Sequence, residues 1–412
     1  MIKFDKFELS NGLRVIVHQD TSTPIACLNI LYDVGARDEN PEQTGFAHLF
    51  EHLMFGGSVN IENYDEPLQL VGGENNAFTT NDITNYYLTL PVENLETGFW
   101  LESDRMLSLA FSDKSLEVQR NVVIEEFKQR YLNKPYGDVW LLLRPMAYKV
   151  HSYQWDTIGK EISHIENARI EDVKNFFKKY YCPNNAIMVV AGNVKVDDVK
   201  RMAEKWFGPI AKGPDNKRNI PKEPEQTAER TLTVERNVPV DAIYKAYHMC
   251  ARRDKAYYAT DLISDILSQG NSSRLHKSLI KDKKMFSDIH AYVMGELDEG
   301  LFIVSGKLID GVTMEQADAA INEELDKIKN ILVTSDELTK VKNKTEATHI
   351  FGEMEVLNKA TNLAVSELLG SADLINQEVD KYLNVTAEEI KQVATKIFKK
   401  ENCSTLYYKA KK

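Results

Sequence analysis

The chain has 412 residues, of which 43% are apolar and 27% charged, with a formal net charge of −11. That length exceeds one ordinary core and predicts two domains of about 200 residues each. No stretch nears the ~18 uninterrupted apolar residues of a membrane span, and the acidic balance excludes a general nucleic-acid surface, which needs clustered Lys and Arg.

The N-terminus, "MIKFDKFELSNGLRVIVHQD", opens directly into a strand-like pattern. It has no basic segment followed by an apolar block, which predicts a cytoplasmic location, or a periplasmic one for a mature form. After the strand "LRVIVHQD" and the apolar stretch "PIACLNILYDVGARD" comes a short helix, "GFAHLFEHLMFGG", stopped by two glycines. The alternation in "NNAFTTNDITNYYLTLP" predicts a strand pair. Two long helical patterns then occupy about Val92 to Leu132. "RIEDVKNFFKKYY" (helix), "NNAIMVVAGNV" (buried strand) and "KVDDVKRMAEKWFG" (helix) close this half.

Residues 211–229, rich in Pro and charge and nearly devoid of apolar side chains, read as a flexible linker. Beyond it the pattern restarts with the strands "TLTVERN", "VDAIYKAYHMC" and "GLFIVSGKL" and the helix "AYYATDLISDILSQ". The final "TAEEIKQVATKIFKKENCSTLYYKA" repeats the helix–turn–strand of "ARIEDVKNFFKKYYCPNNAIMVVAG". The expected organisation is therefore two copies of one α+β unit, residues 1–210 and 230–412. Cys27, Cys182, Cys250 and Cys403 have no paired spacing and read as reduced thiols.

The short helix carries His48, Glu51 and His52 among Phe46, Leu49, Phe50, Leu53, Met54 and Phe55. Three- and four-residue spacing puts the three polar groups on one side. Buried and unpaired, they would cost several kcal/mol. Hydrogen bonds from each histidine to a core carbonyl would satisfy them. Alternatively, two imidazoles one turn apart can reach a single tetrahedral metal, with the carboxylate just outside its coordination shell. H-x-x-E-H inverts the zinc motif H-E-x-x-H.

A two-histidine site needs a third ligand, and "SLEVQRNVVIEEFKQRY" is the candidate helix for it. Val122, Val123, Ile124 and Phe127 define its expected buried stripe. Glu126 falls within that stripe and Glu125 at its edge, so only Glu126 is expected to face inward.

Taken together, "LSNGLRVIV", "DVGARDE", "HLFEH", "NAFTTNDITNYY", "RNVVIEE" and "PNNAIMVVAGNV" resemble the insulinase/pitrilysin family of zinc metallopeptidases. The resemblance runs nearly the full length and is strongest to the short, two-domain branch that includes mitochondrial processing peptidase subunits. It implies an α+β fold of two homologous domains, each a mostly antiparallel sheet packed with helices, forming half of a clamshell around an enclosed chamber. It also implies one Zn2+ per chain bound by His48, His52 and Glu126, with Glu51 as catalytic base. Asn76, Ala77 and Phe78 would pair with the substrate main chain, and no zinc ligands are expected in the second domain.

The chain departs from the family pattern in two places. Gln119 stands where active members often carry a second glutamate, which affects only the surroundings of the ligands. In the second domain, members that complete the active site have an arginine and, seven positions on, a tyrosine. Here those places hold Ile280 and Ser287; Tyr292 fits the spacing poorly, and Arg274 is expected to be structural. The expected partner is therefore a related zinc-free chain that supplies the arginine and tyrosine, giving a heterodimer. The rival readings are a self-sufficient homodimeric peptidase and a non-catalytic scaffold subunit. His18, His151, His164, His248, His276, His290 and His349 have no paired spacing and read as structural or surface residues.

Overall fold

A computed structural model describes residues 1–411. The chain is mixed α/β with two sheets. The first contains β1 (Asp5–Glu8), β2 (Arg14–Gln19), β3 (Ile25–Tyr32), β4 (Glu74–Thr79), β5 (Thr84–Pro91) and β6 (Ala186–Gly192), in the order β1-β2-β6-β3-β5-β4. The second contains β7 (Arg230–Arg236), β8 (Ala242–Ala251), β9 (Phe286–Met294), β10 (Glu299–Leu308) and β11 (Cys403–Ala410), in the order β7-β11-β8-β10-β9.

Apart from the extra edge strand β1, the two orders are the same. Each sheet has one parallel pair, β2 with β6 and β7 with β11, and is otherwise antiparallel. The expected duplication is present as topology, and the two similar helix–turn–strand segments end in the equivalent strands β6 and β11.

The compact units are not contiguous in sequence. The first comprises Met1–Lys128, Trp155–Ile220 and Ile350–Gln377; the second comprises Gln129–Gln154, Pro221–His349 and the chain from Glu378 onward. This differs from a simple split around a linker, and burial explains why. β6 is buried at every position, and β3 at every position after Ile25. Strands covered on both faces read as continuous apolar runs and need a helix layer on each side. The late helix Val356–Leu369 packs on β3 and β6 and supplies one of those layers. In the second unit, Val139, Leu143 and Ala147 of the helix Val139–Ala147 pack against Ala242, Ala246, Leu301, Ile303 and Leu406. The two helices hold equivalent places in the repeats, yet each covers the sheet of the other repeat.

Residues 211–227 form no strand or helix, as expected, but they are anchored. Arg218 bonds Asp38 through Nε at 2.5 Å and Asp33 through Nη1 at 2.8 Å. Glu223 accepts from the main-chain N–H groups of Lys149, Val150 and His151 at 2.8–3.0 Å. Charge pairing and carboxylate capping hold in place a segment whose composition suggested a flexible arm. All four cysteines are free thiols. No helix among the described residues is long and apolar enough to cross a membrane.

Candidate metal centre

The polar helix forms α1 (Phe46–Leu53), between β3 and β4. Its N-cap, Gly45, has φ 88°, a left-handed conformation, and a Cβ there would stand 2.8 Å from the Ile158 carbonyl oxygen. Only glycine fits without a shift. Phe46, Ala47, Leu49, Phe50 and Leu53 are buried, and the Phe50 ring stacks on Tyr181 with centroids 5.0 Å apart. The free N–H groups at the start of α1 are met by buried Glu39, which accepts from Gly45 at 2.9 Å and Ala47 at 2.8 Å. An anion suits a helix N-terminus, yet burial still pushes the Glu39 carboxyl up to about 8. α1 is thus fixed at its start and along its apolar side, while His48, Glu51 and His52 lie half-buried on the other side.

The third partner comes from a helix distant in sequence. With α2 (Asp65–Leu70) and α3 (Leu95–Leu107) intervening, α4 (Asp113–Phe127) packs beside α1 and brings in Glu126 near its C-terminal end. Glu126 Oε2 stands 3.6 Å from His48 Nε2 and 3.4 Å from His52 Nε2, and the two Nε2 atoms are 3.3 Å apart. Three ligands around a tetrahedral ion with bonds of about 2.0–2.1 Å stand about 3.3–3.4 Å from one another. The triangle therefore has the size zinc requires, and two imidazoles with one carboxylate form a donor set used by hydrolytic zinc sites. Among the described residues these three form the one group of His, Cys, Asp and Glu arranged to hold a metal.

The α4 stripe needs one correction. Leu116, Val123, Ile124 and Phe127 are buried, but Val122 is 44% exposed. One turn from Glu126, Val122 shares the face that carries the carboxylate, so that face is open and not core. Glu125 points outward, its side chain 60% exposed and paired with Lys128, whereas Glu126 is 16% exposed. Gln119, two turns before Glu126, is half-buried.

β4 lies beside α1 and, among the described residues, pairs only with β5, so its other side is an open sheet edge. Thr80 N–H donates to the Ile83 carbonyl at 2.8 Å, and the register pairs Thr79 with Thr84 and Ala77 with Tyr86. Antiparallel alternation then turns the main-chain groups of Asn76 and Phe78 toward β5 and those of Asn75, Ala77 and Thr79 toward the open edge. Ala77 N–H accordingly bonds the Asn76 side-chain oxygen at 2.8 Å and not the ladder. Of the three sequence candidates on this strand, Ala77 presents its main chain outward; Asn76 and Phe78 have only side chains to offer. On the face toward α1, Thr79 Oγ1 donates to Glu51 Oε2 at 2.6 Å. Sequence reading missed Thr79, although period-two alternation in "NNAFTT" already places it on one face with Ala77.

In the second unit, Ile280 packs partly buried against the core, and Ser287 lies exposed on β9 with its hydroxyl on the Lys307 carbonyl at 3.3 Å. Tyr292 sits farther along β9, opposite Ile303. Arg274 forms a two-pronged ion pair with Glu337 at 2.8 and 2.9 Å, a structural role as expected.

A duplicated α/β fold with an H-x-x-E-H helix and a carboxylate from a second helix defines the class. The chain belongs to the insulinase family, peptidase family M16: that family's model matches residues 14–147, and the model described as the peptidase M16 inactive domain matches residues 167–345. A zinc protease, PqqE, of Helicobacter pylori is 30% identical over 99% of this chain and 93% of its own length. The mitochondrial-processing peptidase subunit beta of Caenorhabditis elegans is 27% identical over 52% of this chain and 46% of its own. Among solved structures, a protease from Helicobacter pylori superposes with a TM-score of 0.93 at 29% identity, covering 99% of this chain and 100% of that one. A peptidase M16 inactive domain from Pseudomonas fluorescens shares the fold, with a TM-score of 0.89 at 17% identity over 100% of this chain and 98% of that one.

Proposed function

We propose that this chain is a zinc-dependent endopeptidase acting on extended peptide segments, and that it is the metal-bearing subunit of a heterodimer. The observation that carries the reading is the triangle of His48 Nε2, His52 Nε2 and Glu126 Oε2, with edges of 3.3–3.6 Å, beside Glu51 on the same helix. Zinc bound there supplies a Lewis acid and a water whose pKa is lowered to about 7. Glu51 takes the proton from the attacking water on its carboxylate and returns it to the departing amine. The outward main chain of Ala77 on β4 binds the substrate backbone by strand addition, which gives affinity with little sequence preference.

The heterodimer reading rests on Ile280 and Ser287, neither of which can offer a charged or phenolic donor to a developing oxyanion. A related chain without zinc ligands supplies the arginine and tyrosine. The test is to measure zinc per chain and peptide cleavage by the purified protein, alone and with such a partner. One zinc per chain and cleavage only in the pair are expected. Robust cleavage by the chain alone would replace the heterodimer with a self-sufficient enzyme. A chain that binds no zinc would overturn the enzyme reading.

A further inference from the structure

We infer that Thr79 is the positioning residue for Glu51, and that through it the peptide-binding edge is coupled to the proton-transfer group. This rests on the peptidase reading, but the contact itself is independent of it. The Thr79 hydroxyl donates to Glu51 Oε2 at 2.6 Å, within the short range of hydrogen bonds to an ionised acceptor.

Three features make Thr79 a rigid donor. Its backbone lies between Phe78 and Thr80, whose main-chain groups turn toward β5, and opposite Thr84, whose own hydroxyl is fixed on the Val34 carbonyl at 3.0 Å. Its β-branched side chain is stiff at χ1. The adjacent turn is closed by the neighbouring threonine, since Thr80 Oγ1 accepts from Asp82 N–H and Ile83 N–H, each at 3.1 Å. The two threonines thus divide the work: Thr80 shapes the hairpin and Thr79 reaches the carboxylate. Glu51, by contrast, has a long side chain with several rotors, and the Thr79 bond ties one of its oxygens to the strand.

The main-chain N–H and C=O of Thr79 face the open edge, where a peptide strand would pair. One residue therefore meets the substrate backbone on one side and the base on the other. A peptide that pairs as far as Thr79 is set in register on the same residue that orients Glu51, so pairing along β4 places substrate and base relative to each other and contributes to turnover as well as to binding.

The test compares Thr79→Val, which keeps shape and strand preference but removes the donor, with Thr79→Ser, which keeps the donor. Both are made in the full chain, assembled with any partner that activity requires. In Thr79→Val, kcat is expected to fall by about 10- to 100-fold, the scale of a misplaced reacting group, while KM, zinc content and melting temperature stay at wild-type values. Thr79→Ser is expected to restore kcat to within a few-fold. Crystal structures of the metal-free variants give a readout that needs no activity: Glu51 keeps its wild-type orientation in Thr79→Ser and loses it in Thr79→Val. Unchanged kcat, or an unmoved Glu51, in Thr79→Val overturns the positioning role and leaves the peptidase reading intact. A wild-type chain that cleaves nothing overturns the peptidase reading, while the Glu51 orientation still reports on the contact.

Discussion

The buried Glu39 carboxyl accepts a hydrogen bond from the Ala47 main-chain N–H at 2.8 Å, one residue before His48. With the second bond from Gly45, this anchors the start of the helix that carries His48, Glu51 and His52. Replacing Glu39 with alanine leaves two buried donors unmet, at about 1–3 kcal/mol each, and loosens α1. The expected result is a lower melting temperature and weaker zinc binding, read by calorimetry and metal titration.

Glu39 also makes stability depend on pH. Burial raises its carboxyl to about 8 in the folded chain, above its ordinary value. The folded state therefore holds this proton at pH values where the unfolded state has released it. This contribution is fully present below the unfolded value and is lost as pH rises through about 8. In the metal-free protein, the stability of wild type relative to Glu39→Gln should decline between about pH 5 and 8. Urea unfolding at several pH values measures it, and a flat difference would show that the carboxylate is fully compensated by its two donors.

Glu51→Gln separates metal binding from proton transfer. Glutamine keeps the shape and can accept the Thr79 hydroxyl, but it cannot take a proton from water. Zinc content should stay at the wild-type level, while turnover falls by about 10²–10⁴-fold. A variant that cleaves at the wild-type rate would show that Glu51 is not the base.

Much of the site was legible because its residues contradict their surroundings. Three titratable groups on one side of an otherwise apolar helix call for a partner, and period 3.6 on α4 distinguishes Glu126 from Glu125. That same period misplaced Val122, because a valine on the open face beside Glu126 looks in sequence like one in the core. The strand runs of β3 and β6 announced cover on both faces, but pattern alone could not say which helix provides it. The provider, Val356–Leu369, lies more than one hundred residues away in the other repeat. β9 went unread because its alternation follows the lysine-rich stretch "KDKK" and is interrupted by Ser287, Asp288 and His290. The anchoring of the linker by Arg218 and Glu223 depends on long-range ion pairs and N–H capping, which leave no periodic signal.

Glu126→Gln tests the third ligand. It removes the negative charge from the group whose oxygen lies 3.4 and 3.6 Å from the two imidazoles, and keeps the volume. Zinc affinity should fall steeply, and with it the extra stability that a bound metal gives. That stability amounts to about 2.7 kcal/mol when free zinc is 100 times its Kd. Chelator should therefore lower the melting temperature of wild type and leave Glu126→Gln unchanged. Equal responses would place the metal elsewhere.

Arg274 provides the contrasting case, a charged residue whose loss affects folding and not the site. Its guanidinium grips Glu337 in the second unit and lowers that carboxyl to about 2, and both side chains are mostly buried. A lowered folded value means the stabilisation is present above the ordinary carboxylate range and is lost as pH falls through about 2. Arg274→Met should cost about 1–3 kcal/mol at pH 7, the range for hydrogen bonds to charged groups. The cost should shrink steadily once the pH drops below about 4.5. Zinc content should be unaffected, because the pair lies in the unit that does not contain His48, His52 or Glu126. Denaturant titrations at pH 7 and pH 3, each paired with a zinc assay, would decide it. A full-sized penalty that persists at pH 3 would mean that Arg274 stabilises the fold through packing of its stem, not through its charge.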